Sequence, residues 1–266
     1  MGRILTELKS AFIFNRAKRR KFRSEHREEL HPDLKFARMV LDAMAVARTH
    51  EKSFSRYRNA FAGRTVVIVA CGPTAAEYKP IEGAVHIGVN SAYRLPNVAL
   101  DFLFTQDCAD GNRERRHEFN EYRPGKCVKF YGLLGCDVVG PGNRTWSQSD
   151  ANAADAERYY IREGVRGCPG LIPYDISAQP LADYQNVVFA ALQFALWTNP
   201  REICLVGCDC SRMGHFDTKK PNWLDLDAVF AGYDDITAFA GKWYPDTEIK
   251  VIRPVGLKGR YEEYVQ

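Results

Sequence analysis

The sequence predicts an α/β protein with a doubly wound, mostly parallel sheet. Short apolar runs of the kind that form buried strands recur along the chain, and each ends in small or polar residues. Stretches with helical spacing of apolar residues separate these runs, most clearly at residues 181–199. Alternating strand and helix patterns are typical of parallel sheets that helices cover on both faces.

The N-terminal part of the chain differs from the rest in charge. Residues 1–60 contain 15 Lys and Arg against 7 Asp and Glu, and their apolar residues keep a helical spacing. We therefore expect a basic α-helical extension over residues 1–60 and an α/β domain over residues 61–266.

Residues 1–25 combine apolar and basic side chains, which leaves two interpretations open. They could lie on an anionic membrane surface, or pack as a helix on the α/β domain or on a second copy of the chain. No stacking aromatics accompany the charge, so nucleic acid is not a predicted partner. The segment lacks the pattern of a signal peptide, which predicts a cytoplasmic protein with at most peripheral contact with the inner face of the membrane.

The first predicted strand, Val66–Ala70, is apolar on both faces and leads into a turn that could bind an anion. Gly72 permits a tight turn, Pro73 suits the first turn of a helix, and Thr74 is spaced from Glu77 as in a capping box. A helix N-terminus presents free N–H groups, so a phosphate or carboxylate site is expected there. An ordinary structural turn is the alternative. The turn is neither a dinucleotide-binding fingerprint nor a P-loop.

The later predicted strands end in polar residues, and a final strand reaches Pro254. In doubly wound sheets, ligands bind outside the carboxyl ends of the strands. The residues at those ends are therefore candidate ligand contacts: Gly72, Asn90, Gln106, Asp107, Asp209 and Ser211.

Residues 137–170 are long, polar and without a clear pattern, which predicts a mobile, lid-like insertion or an acceptor-binding element. A disordered loop is an equally good interpretation of this stretch.

The eight cysteines never form a Cys-x-x-Cys pair, and several lie in or beside apolar strands, which predicts reduced thiols. The closely spaced Cys204, Cys208 and Cys210 give only a weak zinc signal. Asp107 and Asp110 do not form the Asp-x-Asp pattern of metal-dependent transferases. No metal and no other cofactor are predicted.

Six segments, in this order, carry a resemblance to a known family: IVACGPT, IGVNSAYRL, FLFTQD, ALQFALWTNPREICLVGCDCS, HFDTKKPNWL and RPVGLKG. The set is similar to the bacterial sialyltransferases that build lipooligosaccharides. It also resembles the wider group of sialyltransferase-like and flagellin-modifying glycosyltransferases with a Gly-Pro-Ser motif. The resemblance covers residues 63–259 and implies a Rossmann-like fold. It also implies a metal-independent glycosyltransferase of surface-glycan synthesis that uses a CMP-linked, sialic-acid-like or Kdo-like donor.

Residue by residue, the resemblance assigns Gly72, Pro73 and Thr74 to the turn that binds the donor phosphate. It assigns the remaining donor contacts to Asn90, Gln106 or Asp107, Gln185, Asn186 and Ser211. Two positions depart from the family, because Cys71 stands where the sialyltransferases have Asn and Ser211 where they have Tyr.

The general-base histidine of the family has no counterpart in residues 227–239. His215 follows the strand that ends before Asp209, and it is the nearest substitute for deprotonating an acceptor hydroxyl. The alternative for His215 is a surface histidine bonded to Asp217. Asp209 is either a substrate contact or, as the better interpretation, an anchor that accepts backbone N–H groups of its loop. If His215 is not the catalytic base, Asp209 or a carboxylate in residues 232–237 is the next candidate.

Two other functions remain open from the sequence. A pterin diphosphokinase-like enzyme shares the sheet, but few Lys or Arg stand at the strand ends to bind ATP. A catalytically silent scaffold with the same fold would explain the missing histidine.

Overall fold

The computed structural model describes residues 9–10, 18, 21–22, 32–106, 113–133, 156–164, 166–218 and 225–266. The chain divides into two compact units, Met1–Ala45 and Val46–Gln266. The second unit contains the sheet and the candidate site. No helix among the described residues has both the length and the apolar character needed to cross a membrane.

The α/β fold class is confirmed, and every neighbouring pair of described strands is parallel. The strands are β1 Thr65–Val69, β2 Val85–Val89, β3 Phe102–Thr105, β4 Val128–Leu133, β5 Ala156–Glu163, β6 Leu181–Asp183, β7 Glu202–Val206, β8 Glu248–Ile252 and β9 Glu262–Glu263. Their order across the sheet is β6-β5-β4-β3-β2-β1-β7-β8-β9. The helices are α1 Pro32–Phe54, α2 Arg113–Glu121, α3 Val188–Trp197 and α4 Leu226–Trp243.

The strand order reverses at β1, and this reversal positions the site. From β1 the chain adds strands outward to β6, and α3 then returns it to β7 on the other side of β1. The carboxyl ends of β1 and β7 lie at this reversal, which is the usual ligand position in this architecture.

The two faces of the sheet carry separate apolar cores, because successive side chains of a strand point in opposite directions. Helix α3 is buried along all of its ten residues and packs against the first core. Its Phe194 ring contacts Phe54, Phe104 and Phe130 at centroid distances of 6.0, 5.4 and 5.1 Å. Burying one such ring stabilises the fold by about 1.5–3 kcal/mol.

The second compact unit begins at Val46, whereas the sequence places the start of the α/β domain at residue 61. Residues after Val46 belong to the core: Phe54 is fully buried, and its carbonyl accepts the indole N–H of Trp197 at 3.0 Å. The helical pattern of residues 32–54 is continuous, so the sequence gives no sign of where packing begins.

Two other predicted elements are partly wrong. Residues 156–163, inside the predicted insertion 137–170, form strand β5 of the sheet, and residues 134–155 lie outside the described residues. The predicted helix over residues 181–199 begins only at Val188, because Leu181–Asp183 forms the edge strand β6. The side-chain amide of Gln193 bonds both the N–H and the carbonyl of Ala182 on that edge.

A polar cluster joins α1 to β5, and we call it the His50 cluster: His50, Ser53, Arg56 and Glu157. The Tyr160 N–H donates to His50 Nε2 at 2.7 Å, so Nδ1 carries the proton and donates to the Ile176 carbonyl at 2.8 Å. Glu157 accepts from the Ser53 hydroxyl at 3.0 Å and from Arg56 at 2.7 Å. Burial lowers the pKa of His50 to about 4.

Candidate functional site

A cavity of about 200 Å³ lies at the strand-order reversal, where the structure brings together most of the predicted contacts. The ends of β1, β2, β3 and β7 contribute Gly72, Asn90, Gln106 and Asp209. Usual small-molecule sites measure about 300–1,000 Å³. The cavity is therefore large enough for one part of a nucleotide sugar rather than the whole molecule.

The wall combines apolar and polar groups and is almost free of charge. Four residues with side-chain amides line the cavity, Asn90, Gln106, Gln185 and Asn186. Among the described lining residues there is no Lys or Arg, and Asp209 is the single carboxylate.

The Gly72 turn does not present the free N–H groups that the sequence predicts. The Gly72 N–H donates to the Gly207 carbonyl at 2.8 Å, and the Ala75 N–H donates to the Gly72 carbonyl at 3.0 Å. The Thr74 N–H donates to Asp209 Oδ2 at 3.0 Å, and its hydroxyl donates to Oδ1 of the same carboxylate. The predicted phosphate position thus holds the carboxylate of the chain itself, and Pro73 and Thr74 do not line the cavity.

Asp209 is the loop anchor that the sequence favours, with its accepted bonds coming from the β1 turn rather than from its own loop. It is 5% exposed, and its backbone carbonyl accepts the Gly256 N–H at 2.9 Å. The carboxylate therefore fixes the loop after β7 to the turn after β1.

Gly72 is needed for close packing of these two loops. A Cβ at this position would lie 2.5 Å from both the Gly207 carbonyl oxygen and Asp209 Cγ. Gly207 itself has φ +67°, and its Cβ would lie 2.7 Å from the Ala70 carbonyl oxygen. Two glycines thus let the turns meet.

Gln106 is the clearest sign of a ligand site. Its side chain lines the cavity with only 9% of the residue exposed, and Nε2 has no hydrogen-bond partner among the described residues. Buried donors are nearly always paired, and an exception calls for an explanation such as an absent ligand. The neighbouring Asn90 Oδ1 accepts the Thr105 hydroxyl at 3.3 Å, which orients that amide.

The backbone around the cavity adopts unusual conformations. Asn90, Gln185 and Cys210 have φ values of +48°, +61° and +44°, and they are three of the seven non-glycine residues with positive φ in the described chain. Each such conformation costs on the order of 1–3 kcal/mol and tends to occur at functional sites.

His215 also lines the cavity, on the loop after β7. The Asp217 carboxylate, its predicted alternative partner, accepts from Arg94 at 3.1 Å, and the His215 ring makes no hydrogen bond with the described residues. The next residue, Phe216, donates its N–H to the Cys71 carbonyl at 2.9 Å and so holds the loop in place. The imidazole is therefore available to a ligand.

The remaining predicted contacts have mixed positions. Gln185 is exposed at the cavity rim, while Asn186 Oδ1 caps α3 by accepting the Val188 N–H at 3.0 Å. Ser211 lines the cavity, and its hydroxyl accepts the Met213 N–H at 3.3 Å. Asp107 lies outside the described residues.

The cysteines near the cavity are neutral thiols. Burial raises the pKa of Cys71 to about 11 and of Cys210 to about 12. Cys71 lines the cavity, and its thiol donates to the Val89 carbonyl at 3.1 Å. Cys204 lies in the opposite core from Cys208 and Cys210. In the described part of the chain, no three His, Cys, Asp or Glu side chains are grouped to hold a metal ion.

Sequence reasoning missed Tyr233, a residue of α4 that lines the cavity. Its hydroxyl is buried without a nitrogen or oxygen partner among the described residues, and burial raises its pKa well above the ordinary value. The one signal in the sequence is its position beside Asp234 and Asp235, the carboxylates that are alternatives to His215 as the general base.

No protein-family model and no curated protein sequence matches the chain. Among solved structures, the MAf glycosyltransferase from Magnetospirillum magneticum AMB-1 is similar to 80% of this chain, with 16% sequence identity and a TM-score of 0.40. The matched part of this chain covers 39% of the length of that protein. A similarity at this level carries no argument about activity.

Proposed function

We propose that the chain is a glycosyltransferase of bacterial surface-glycan synthesis, acting on lipopolysaccharide, capsule or glycoprotein. Its donor would be a nucleotide-activated sugar, CMP-linked and sialic-acid-like or Kdo-like. The observation that carries this proposal is the amide-lined cavity at the strand-order reversal, with the unbonded ring of His215 facing it. The ordered motifs over residues 63–259 support the same choice.

In the proposed reaction, side-chain amides bind the donor and an imidazole accepts the proton. Gln106 and Asn90 bind polar atoms of the donor, and His215 acts as the general base. The acceptor hydroxyl oxygen forms a bond to the anomeric carbon, and the bond from that carbon to the phosphate oxygen breaks. The nucleotide leaves with the electron pair, and His215 takes the acceptor proton. We propose that this step needs no metal ion.

Calorimetric titration with CMP, UDP, GDP and ATP, each with Mg²⁺ and again with EDTA, tests the proposal. We expect CMP to bind most tightly and EDTA to leave its affinity unchanged. Preferential binding of ATP that depends on Mg²⁺ would instead favour a diphosphokinase-like activity. Restoration of CMP binding by Mn²⁺ after EDTA would refute metal independence.

A catalytically silent scaffold is the second candidate, because the Asp209 carboxylate occupies the turn where a donor phosphate was expected. It predicts that none of the four nucleotides binds. In either case we propose a cytoplasmic protein whose residues 1–25 contact anionic lipid or a second copy. Co-sedimentation with phosphatidylglycerol vesicles, compared with phosphatidylcholine vesicles, tests the lipid contact.

A further inference from the structure

The cavity and the adjoining Gly72 turn differ in what they can bind. We propose that the cavity binds an uncharged polar ring, the nucleobase of the donor, and that Asp209 excludes phosphate from the Gly72 turn. Only the identification of the ring as part of a nucleotide sugar rests on the proposed function.

The first step concerns the absence of an anion site at the turn. The N–H groups of Gly72, Thr74 and Ala75 already donate within the chain, and proline at position 73 has none. A phosphate there would lose these donors and would lie against a buried carboxylate, where two like charges repel strongly. Among the described residues that line the cavity, no Lys or Arg offsets that repulsion.

The second step concerns what the cavity offers instead. In the described part of the chain, Gln106 Nε2 is a buried donor without a partner, and an acceptor atom of a ligand would complete its hydrogen bonding. The other amides of the wall, those of Asn90, Gln185 and Asn186, are also uncharged. Asn and Gln side chains pair well with the edges of nucleobases, which carry carbonyl and ring-nitrogen acceptors.

The third step concerns size and direction. A cavity of about 200 Å³ holds one ring system, not a base, a ribose, a phosphate and a sugar together. If the base occupies the cavity, the phosphate of the donor lies outside it, away from Asp209. A neutral sugar ring carries similar acceptor atoms, so the experiment must distinguish binding of a nucleobase from binding of a sugar.

The test compares cytidine, CMP, inorganic phosphate and N-acetylglucosamine by calorimetry on the full chain. We expect cytidine and CMP to bind with dissociation constants within tenfold of each other, and 10 mM phosphate to leave both unchanged. CMP binding more than tenfold tighter than cytidine, or competition by phosphate, would place a phosphate at the turn and overturn the inference. Binding of the monosaccharide without cytidine would also overturn it.

A variant pair tests the donor atom. Gln106→Leu should weaken cytidine binding at least fivefold, while Gln179→Leu, the same change at an exposed position, should leave it unchanged. Gln106→Glu keeps the shape of the side chain, replaces the donor by an acceptor, and should weaken binding as much. A smaller loss in both Gln106 variants, with the fold intact by circular dichroism, contradicts the role of Nε2.

The two proposals fail in different ways. Binding of a CMP-sugar without binding of cytidine overturns this inference alone. Binding of cytidine without transfer from any nucleotide sugar overturns the proposed function alone.

Discussion

The His50 cluster and the cavity are both buried polar regions, and they differ in how completely their hydrogen bonds are formed. In the cluster, both ring nitrogens of His50 are bonded, and Glu157 accepts from two side chains. In the cavity wall, neither Gln106 Nε2 nor the His215 ring makes a hydrogen bond with the described residues.

This difference separates a stabilising region from a binding region. A completed network contributes roughly 0.5–1.5 kcal/mol per hydrogen bond, whereas each unpaired buried group costs about 1–3 kcal/mol. The cost is tolerable where a ligand supplies the missing partner. The left-handed backbone at Asn90, Gln185 and Cys210 adds to the energy stored around the cavity.

The Gly72 turn belongs with the completed networks, although its sequence suggests a binding region. The donors that could meet an anion are bonded to Gly207, Asp209 and the turn itself. Substitutions in the Gly72 turn should therefore affect stability, whereas substitutions in the cavity wall should affect activity.

The largest expected effect is on activity. His215→Ala should slow glycosyl transfer by about 10²–10⁴, the usual contribution of a general base. Donor affinity and the urea midpoint should stay unchanged, because the ring bonds no described residue. His117→Ala, an exposed position on α2, is the matched control. Turnover within threefold of the parent would show that His215 is only a loop residue, and the candidate base would then be Asp209, Asp234 or Asp235.

The next effect is on stability. Gly72→Ala should lower the free energy of unfolding by roughly 3 kcal/mol, because the new methyl group meets backbone and a fixed carboxylate that cannot move aside. The sequence alone would predict that a larger side chain here abolishes nucleotide binding without disturbing the fold.

The control for this substitution is Gly241→Ala in α4, where a new Cβ has no neighbour within 4 Å. It should stabilise the protein by about 0.5–1 kcal/mol, the helix preference of alanine over glycine. Urea denaturation measures both variants. Equal stability of Gly72→Ala and the parent would mean that the two turns are not packed as described.

The sequence predicts the parallel sheet and the edge at which the cavity lies, because strands and their polar ends are local patterns. It also predicts Asn90, Gln106 and His215 as cavity residues, for the same reason. It does not predict that Asp209 bonds Thr74, since these residues are 135 positions apart and nothing local links them.

Strand β5 is missed for a related reason. Tyr159 and Ile161 are its buried residues on the first core, too few in a polar surrounding to form a recognisable pattern. Their burial depends on long-range pairing with β4 and β6. Likewise, the compact unit begins at Val46, within helix α1, because of long-range contacts. The spacing of apolar residues along α1 does not change at that point.

The smallest expected effect is the pH dependence of the free energy of unfolding that arises from His50 in the His50 cluster. Folding lowers the pKa of His50 from about 6.5 to about 4, because burial penalises the imidazolium and Nε2 already accepts the Tyr160 N–H. Protonation therefore favours the unfolded chain. Stability should be constant above pH 6.5 and should fall as the pH drops towards 4, by about 2 kcal/mol at pH 5 from this residue.

Burial also lowers the pKa of His86, which acts in the same direction, so the measurement must isolate His50. The urea midpoint of the parent is compared with that of His50→Gln at pH 7 and pH 5. The variant is less stable at pH 7, because Gln cannot make both bonds, but it should lose about 2 kcal/mol less than the parent between the two pH values. His117→Gln, at an exposed position, should lose as much as the parent. If the parent and His50→Gln lose the same free energy of unfolding between pH 7 and pH 5, His50 can be protonated within the fold. The hydrogen bonding of the His50 cluster would then be incomplete, as it is in the cavity.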